Sequence, residues 1–470
     1  MEQKLGEKEK NKLIYGDSLN VMRKYIRSGT IDAIITDPPW NEKKMFNITV
    51  KESNGENSMA QMRAYDDTWS WSGYAEKKYD EIMNMQSYSK LKDLLTALIS
   101  IYGKCGFTAY MIWISINFVE CKRVLKDTGS IYVHCDPKIS SQIYLIMEQV
   151  FGRNNFRNSI SWCYKGASEA KMCFPRKHDI ILFFSKSPKA PFYCDSIRVP
   201  YKKGVKESNP LGTKCLDWFS DIPSFMNASR SREYCLVKSR TKKPLKLVKR
   251  LIQSVTNVGD LVLDPFVGSG TTVLASEILG RKWIGIDVSY FQIRKTMDRI
   301  RLESSDIINV EGNKIYEVFG EPESIEAAKH LAKKNRHKFG DWCILKIGGT
   351  PNIKKSGDGG VDGDYRFIDD KEYKKVKIQA TSLQSGLATK LRDLCGIVDG
   401  ENVVGGIFIT LKEPSKQMIT EASSHGFYVD KFGTHYPKIQ IISVKDILNH
   451  KKPNFPTCVH IEDKLVETWF

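Results

Sequence analysis

The chain has 470 residues, enough for two or three domains with sizeable cores, and carries 72 Lys and Arg against 55 Asp and Glu, a formal charge of +17. A basic excess of this size points to a polyanionic partner, nucleic acid first, and the many aromatic residues interleaved with the bases suit the same partner. No apolar run approaches bilayer length, the N-terminus is charged rather than signal-like, and the eleven cysteines contain no Cys-x-x-Cys pair. These features argue against a membrane span, a secreted disulfide scaffold and a zinc ribbon, and leave a cytoplasmic protein with reduced thiols as the expectation.

Leu13-Ile14-Tyr15 reads as a short strand, Gly16-Asp17-Ser18 as a turn and Leu19 to Ile26 as a helix. Ile31 to Thr36 is a second strand, and it stops at Asp37-Pro38-Pro39-Trp40 because neither proline can donate to a ladder. An acid, free carbonyls and an indole thus meet at the carboxyl end of a strand, where open α/β sheets bind ligands. The polar stretch from Trp40 to Tyr79 lacks periodicity and reads as a long loop, whose Trp69 and Trp71 either cover a ligand or pack. Helical patterning runs from Leu91 to Ile101 and from Tyr110 to Leu125. The strand Ser130 to His134 and the helix Ser140 to Phe151 follow. Alternating strands and helices predict a mostly parallel sheet.

From Asn154 to Arg240 the alternation breaks. Trp162, Tyr164, Tyr193, Trp218, Phe219 and Tyr234 are mixed with Lys165, Lys171, Arg176, Lys177, Lys202, Lys203, Arg230 and Arg232. Rings for bases and cations for phosphates make this stretch the expected DNA-binding segment, with Trp162, Tyr164, Lys165, Arg176 and Lys177 as its first candidates. The bland alternative is a solvated basic surface with a few core aromatics.

Alternation resumes at Lys243-Pro244 with a helix from Leu245 to Val255 and the strand Asp260 to Leu263. Asp264-Pro265-Phe266-Val267-Gly268-Ser269-Gly270-Thr271-Thr272 leads into a helix, and the next strand ends on Asp287. Glycines admit close backbone approach, and a strand-terminal acid about twenty residues later accepts hydrogen bonds from ribose hydroxyls. The turn has no phosphate-gripping Gly-Lys-Ser/Thr, so a ligand with ribose but no pyrophosphate fits better, such as S-adenosylmethionine.

On these stretches, together with Gly129 to His134 and Lys243-Pro244-Leu245, the chain from Lys12 to Val310 resembles the permuted (beta-class) amino-methyltransferases of DNA, in which the catalytic half precedes the cofactor half. The two motifs stand in the required order, about 225 residues apart. The resemblance implies a Rossmann-like α/β methyltransferase sheet and a reaction on a flipped base. Asp37 and the Pro38 carbonyl would take the amino hydrogens of the base, within Asp37-Pro38-Pro39-Trp40, and Trp40 would stack on it. S-adenosylmethionine would be held by Asp264, Pro265, Phe266, Gly268 and Gly270, with Asp287 on its ribose and Asp17 near its adenine. Asp rather than Ser at position 37 favours adenine over cytosine-N(4) within that family. The expected activity is therefore site-specific methylation of adenine in double-stranded DNA within a restriction–modification system, with cytosine-N(4) as the alternative target. Glu401-Asn402-Val403 resembles a motif of cytosine-C5 enzymes, but no Pro-Cys nucleophile accompanies it.

The last third resembles the nuclease-like domain of Mrr-type restriction endonucleases, an α/β restriction-endonuclease-like fold. Asp362 and Gln379 match the metal-binding Asp and Glu/Gln of that family, Asp362 being the candidate ligand of Mg2+. Thr381 stands where the lysine is expected, and Lys377 lies on the same face of the strand Val376 to Thr381. An active nuclease here would make the protein bifunctional; loss of the lysine allows a domain that only binds. The expected organisation is 1–153 catalytic half, 154–240 target-recognition insert, 241–318 cofactor half and 319–470 nuclease-like domain. Oligomeric state is left open, a homodimer being one option.

Overall fold

The computed structural model describes residues 11–39, 45–51, 57–66, 69–166, 170–201, 208–225, 242–303, 316–352, 360–370, 372–400 and 403–456; for 45–51 and 57–66 only the backbone is described. The chain divides into two compact units, the first made of residues 1–45 and 66–320 and the second of residues 46–65 and 321–470.

The first unit opens with β1 (Asn11–Tyr15), α1 (Ser18–Tyr25) and β2 (Ile31–Thr36). Asp17 caps α1, its Oδ1 accepting from Asn20 N at 3.0 Å, while Arg23 and Lys24 sit in the last turn against the helix dipole. The stretch after Trp40, expected to be a long loop, contains a two-stranded ladder of β3 (Met45–Lys51) with β4 (Asn57–Asp66), which is grouped with the second unit, and then the helix α2 (Gly73–Met83) of the first. Then come α3 (Ser89–Tyr102), α4 (Gly106–Val124), β5 (Leu125–Cys135), α5 (Ser140–Phe151), β6 (Phe156–Cys163), β7 (His178–Ser185) and β8 (Trp218–Phe219). The unit closes with α6 (Leu245–Val255), β9 (Leu261–Asp264), α7 (Thr271–Ile278), β10 (Lys282–Asp287), α8 (Tyr290–Glu303) and β11 (Tyr316–Phe319).

Nine of these strands form one sheet in the order β11-β1-β10-β9-β2-β5-β7-β6-β8. The strands from β11 to β5 are mutually parallel, β7 is antiparallel to both β5 and β6, and β8 runs parallel to β6. The period of two in β2 sends Ile34 to one face and Ala33 and Ile35 to the other. Ile34 joins a core with α1, α4 and α5, whereas Ala33 and Ile35 join a core with α6. The sheet is thus covered on both sides, as parallel sheets require.

Part of the segment expected as a separate insert belongs to this sheet. β6, β7 and β8 extend it beyond β5, so the broken alternation between Asn154 and Arg240 reflects antiparallel hairpin pairing rather than departure from the domain.

In the second unit, α9 (Ile325–Lys334) and α10 (Arg336–Lys346) precede β12 (Thr350–Pro351), β13 (Gly363–Asp369), β14 (Glu372–Thr381), α11 (Leu387–Gly400) and β15 (Gly405–Thr410). α12 (Lys416–Ser424), β16 (Phe427–Val429), β17 (His435–Pro437), β18 (Ile439–Ser443) and α13 (Val444–Leu448) complete it. Its mixed sheet has the order β12-β13-β14-β15-β18, with β14, β15 and β18 parallel. No helix among the described residues is long and apolar enough to cross a membrane.

Candidate active site

Five neighbouring parallel strands of the first unit end at one edge of the sheet. In spatial order they bring Asp17 (after β1), Asp287 (end of β10), Asp264 (end of β9), Asp37 (after β2) and His134 (in β5) to that edge. Asp37 and Asp264 are remote in sequence, yet β2 pairs directly with β9 through Ala33–Val262 and Ile34–Leu263. Thr36 Oγ1 donates to Asp264 Oδ1 at 3.2 Å across that seam.

The turn after β9 is tied to the end of β10. Val267 N donates to Ile286 O at 2.9 Å and Gly268 N to Asp287 Oδ2 at 2.9 Å, while Ser289 N donates to Asp287 Oδ1 at 2.7 Å. Gly16 N donates to Asp287 O at 2.8 Å, which places the Asp17 turn beside the same acid. Gly270 has φ of +79°, and a Cβ there would stand 2.7 Å from Thr296 Cγ2, so only glycine fits as α7 begins. α8 supports the turn from behind. Thr296 Oγ1 donates to Gly268 O at 3.0 Å, and the fully buried Arg299 reaches Thr271 Oγ1 at 2.7 Å and Glu303 Oε1 at 2.9 Å.

Asp264 is 3% exposed, and burial pushes its carboxyl up to about 7. Hydrogen bonds from Thr272, Phe266 N and Thr36 oppose that rise and the neighbouring Asp37 charge adds to it. A buried acid of this kind is poised to take a cation. Beside it Phe266 packs against Trp113 with ring centroids 5.2 Å apart, and Trp113 against Trp69 at 4.7 Å. Trp69 is partly buried against the core, and Trp71 lies under the Lys104 ammonium.

Pro38 is buried, and Asp37 and Pro39 are half-buried at the strand end. Lys243 Nζ stands 2.9 Å from Asp37 Oδ2, its side chain mostly covered. On the β5 side, His134 Nε2 lies 2.8 Å from Asp179 Oδ2, and Tyr164 OH donates to Asp179 Oδ1 at 3.0 Å. Burial, followed by the Lys243 charge, pushes the His134 imidazole below its ordinary value despite Asp179 and Asp37, so the neutral ring donates to Asp179. Burial alone would raise Asp179, but the bonds from His134 and Tyr164 with the Lys243 charge hold it below the usual carboxylate range.

Several expected DNA-binding residues are placed differently. Trp162 is 3% exposed in the core under α6 and donates its indole N–H to Ile222 O at 2.8 Å, so it is a core residue and not a base platform. Tyr164 is half-buried, its hydroxyl committed to Asp179, and acts as a support. Lys165 and Arg176 are exposed and Lys177 is half-buried. Trp40, Lys202, Lys203, Arg230, Arg232, Tyr234, Glu401 and Asn402 lie outside the described residues. Arg299 and Thr296 carry no sequence signal of their own, and Thr36 and Lys243 are visible beforehand only as parts of Thr36-Asp37-Pro38-Pro39-Trp40 and Lys243-Pro244-Leu245.

In the second unit, Asp362 precedes β13 and its Oδ2 accepts from Ala380 N at 2.9 Å. Asp364 on the same face of β13 sits opposite Lys377, with Lys377 Nζ 3.9 Å from Asp364 Oδ1. Gln379 and Asp364 are both buried; among the described residues Gln379 Oε1 and Asp364 Oδ1 have no hydrogen-bond partner, while Asp364 Oδ2 lies 3.3 Å from Arg366 and 3.5 Å from Lys375. Thr381 Oγ1 accepts from Leu383 N at 3.2 Å, so the residue in the expected lysine position caps the turn after β14. Among the described residues no group of three or more His, Cys, Asp or Glu could hold a metal ion. Any cation here would draw on the amide oxygen of Gln379 as well.

The family model described as DNA methylase matches residues 31–298. The type II methyltransferase M.HpaI of Haemophilus parainfluenzae is 31% identical over 295 residues, covering 62% of this chain and 74% of M.HpaI. The type II methyltransferase M.BamHI of Bacillus amyloliquefaciens is 27% identical over 344 residues, covering 70% of this chain and 65% of M.BamHI. Among solved structures, the DNA modification methylase TTHA0409 of Thermus thermophilus, complexed with S-adenosyl-L-methionine, aligns with a TM-score of 0.39 at 16% identity, covering 66% of this chain and 99% of that one.

Proposed function

The chain belongs to this DNA methylase family, and from that premise we propose that it transfers a methyl group from S-adenosylmethionine to the exocyclic N6 of adenine at a specific site in double-stranded DNA, as the modifying activity of a restriction–modification system. The observation that carries the proposal is the adjacency of the Asp37 and Asp264 strand ends across the β2–β9 seam.

The donor set suits the cofactor. Asp264 is a buried acid for the α-ammonium group, the backbone from Phe266 to Gly270 lines the methionine portion, and Asp287 faces the ribose with Asp17 beside it. When bound, S-adenosylmethionine supplies an electrophilic methyl on sulfonium. This chain supplies orientation. The Asp37 carboxylate and the Pro38 carbonyl accept the two amino hydrogens of the base, which localises the nitrogen lone pair and aims it in line with the methyl. The methylated amine then gives up a proton toward Asp37. Trp40 stacks on the extruded base. Asp rather than Ser at position 37 favours adenine over cytosine-N(4) within the family.

Incubation with labelled cofactor and DNA, followed by identification of the methylated nucleoside, tests the reading. N6-methyladenine is expected; methylcytosine alone would refute the base assignment, and unlabelled DNA the activity.

For the second unit we infer an Mrr-type, restriction-endonuclease-like domain. The buried Gln379 Oε1, without a hydrogen-bond partner among the described residues, and the Asp362 carboxylate are hard donors of the kind Mg2+ takes, whereas the Asp364 carboxylate is already paired with Arg366, Lys375 and Lys377. Lys377 is the cation that would stand in for the lysine replaced by Thr381. Supercoiled, unmodified plasmid incubated with Mg2+ is the test: nicked or linear product is expected of an active domain, and intact supercoils would leave the unit a binding module.

A further inference from the structure

The loop between β6 and β7 leaves the sheet at the active-site edge. Cys163 pairs with His178 where the two strands open, and Cys135, one residue beyond His134 in β5, pairs with Ile180 of β7. The root of the loop is fixed, because Tyr164 N donates to Lys177 O at 2.9 Å and Tyr164 OH joins the Asp179–His134 pair.

At the tip, Met172 and Phe174 are 97% and 96% exposed, the two most exposed large apolar side chains among the described residues. Water gives no reason to place them there. Lys171 and Arg176 flank them, both exposed, and neither has a carboxylate partner among the described residues. An apolar tip between two such cations is complementary to a base stack between two phosphate backbones.

Resting on the methyltransferase reading, we propose that this loop is a DNA wedge: Phe174, with Met172, enters the space that the extruded target base vacates, while Lys171 and Arg176 hold the flanking phosphates. A base that leaves the duplex forfeits stacking and pairing, and a ring inserted in its place recovers part of the stacking. The root, held by Tyr164 N on Lys177 O and Tyr164 OH on Asp179, carries the loop at the sheet edge that bears Asp37.

The test uses the full-length protein and two duplexes carrying its methylation site, taken from the modified positions in DNA of cells expressing it. In one the target base is paired normally; in the other it faces an abasic position, so extrusion costs little. Met172→Ala/Phe174→Ala removes only exposed side chains and is expected to fold. On the paired duplex it should lose about tenfold or more in kcat/KM, and on the abasic duplex it should come within about threefold of the unaltered protein. An equal loss on both duplexes, or no loss on the paired one, overturns the wedge. Failure of the unaltered protein to methylate either duplex would instead overturn the reading beneath it.

Discussion

Lys243 Nζ lies 2.9 Å from Asp37 Oδ2, joining the residue before the Pro244 cap of α6 to the acid after β2. The ammonium neutralises and orients the carboxylate. On the methyltransferase reading proposed above, the amino group of an incoming base takes up the same acceptor, and Lys243 is a positioning residue. Lys243→Met should lower kcat by roughly ten- to a hundredfold, leave cofactor affinity within a few-fold, and be partly rescued by Lys243→Arg. Single-turnover transfer beside calorimetry of cofactor binding separates these effects, and an unchanged kcat would count against the role.

Asp264 predicts how cofactor binding follows pH. Its folded value of about 7 lies above the ordinary carboxylate value near 4. The raised value means that its contribution to stability is fully present below about 4 and lost as pH climbs to about 7. Taking up an α-ammonium group needs the ionised acid, so affinity should fall as pH drops below about 7. It should fall again once the ligand's own amino group deprotonates, near 7.7–8.0. Calorimetry across pH 5.5 to 9 checks for a maximum between the two. Asp264→Asn should bind weakly, lose the acidic limb and stabilise the unliganded protein near neutral pH.

Gly270 is held at φ of +79° against Thr296. Alanine there pays about 1–2 kcal/mol for the left-handed conformation before any steric displacement. Gly270→Ala should weaken S-adenosylmethionine binding at least tenfold, with the larger effect on the turn rather than on global unfolding. Equilibrium binding and a denaturation midpoint, measured on the same variant, distinguish the two.

Trp162 belongs to the core beneath α6. Trp162→Ala should cost about 3–5 kcal/mol of stability, read from denaturant unfolding, while the salt dependence of DNA binding stays that of the unaltered chain. A reduced salt slope with full stability would restore it to the DNA surface.

The parts of the fold that were legible beforehand are those where local pattern and tertiary demand agree. Ile31 to Thr36 is strand-like by composition and ended by two prolines, and it is a strand. Ser140 to Phe151 has helical periodicity and a glycine stop, and it is a helix. The segment after Asn154 misled because the antiparallel strands β6 and β7 interrupt the strand–helix alternation that had marked the domain. An indole among cations looks the same in sequence whether it is exposed or, like Trp162, packed in the core.

Asp37-Pro38-Pro39 and the Asp264 to Thr272 turn are local chemistry: prolines end a strand and glycines open a turn wherever they occur, so sequence alone marked both as strand-end sites. That their two acids stand side by side was decided by strand order. Hydrogen bonding between β2 and β9 brings two distant acids to the same edge, and burial there turns Asp264 into a high-pKa acid. The partners of that site, Lys243 on Asp37 and Asp179 on His134, and the exposed Phe174 tip, depend on which surfaces the packed sheet covers. Solvent exclusion is a property of the assembled layers, and no stretch of sequence contains it.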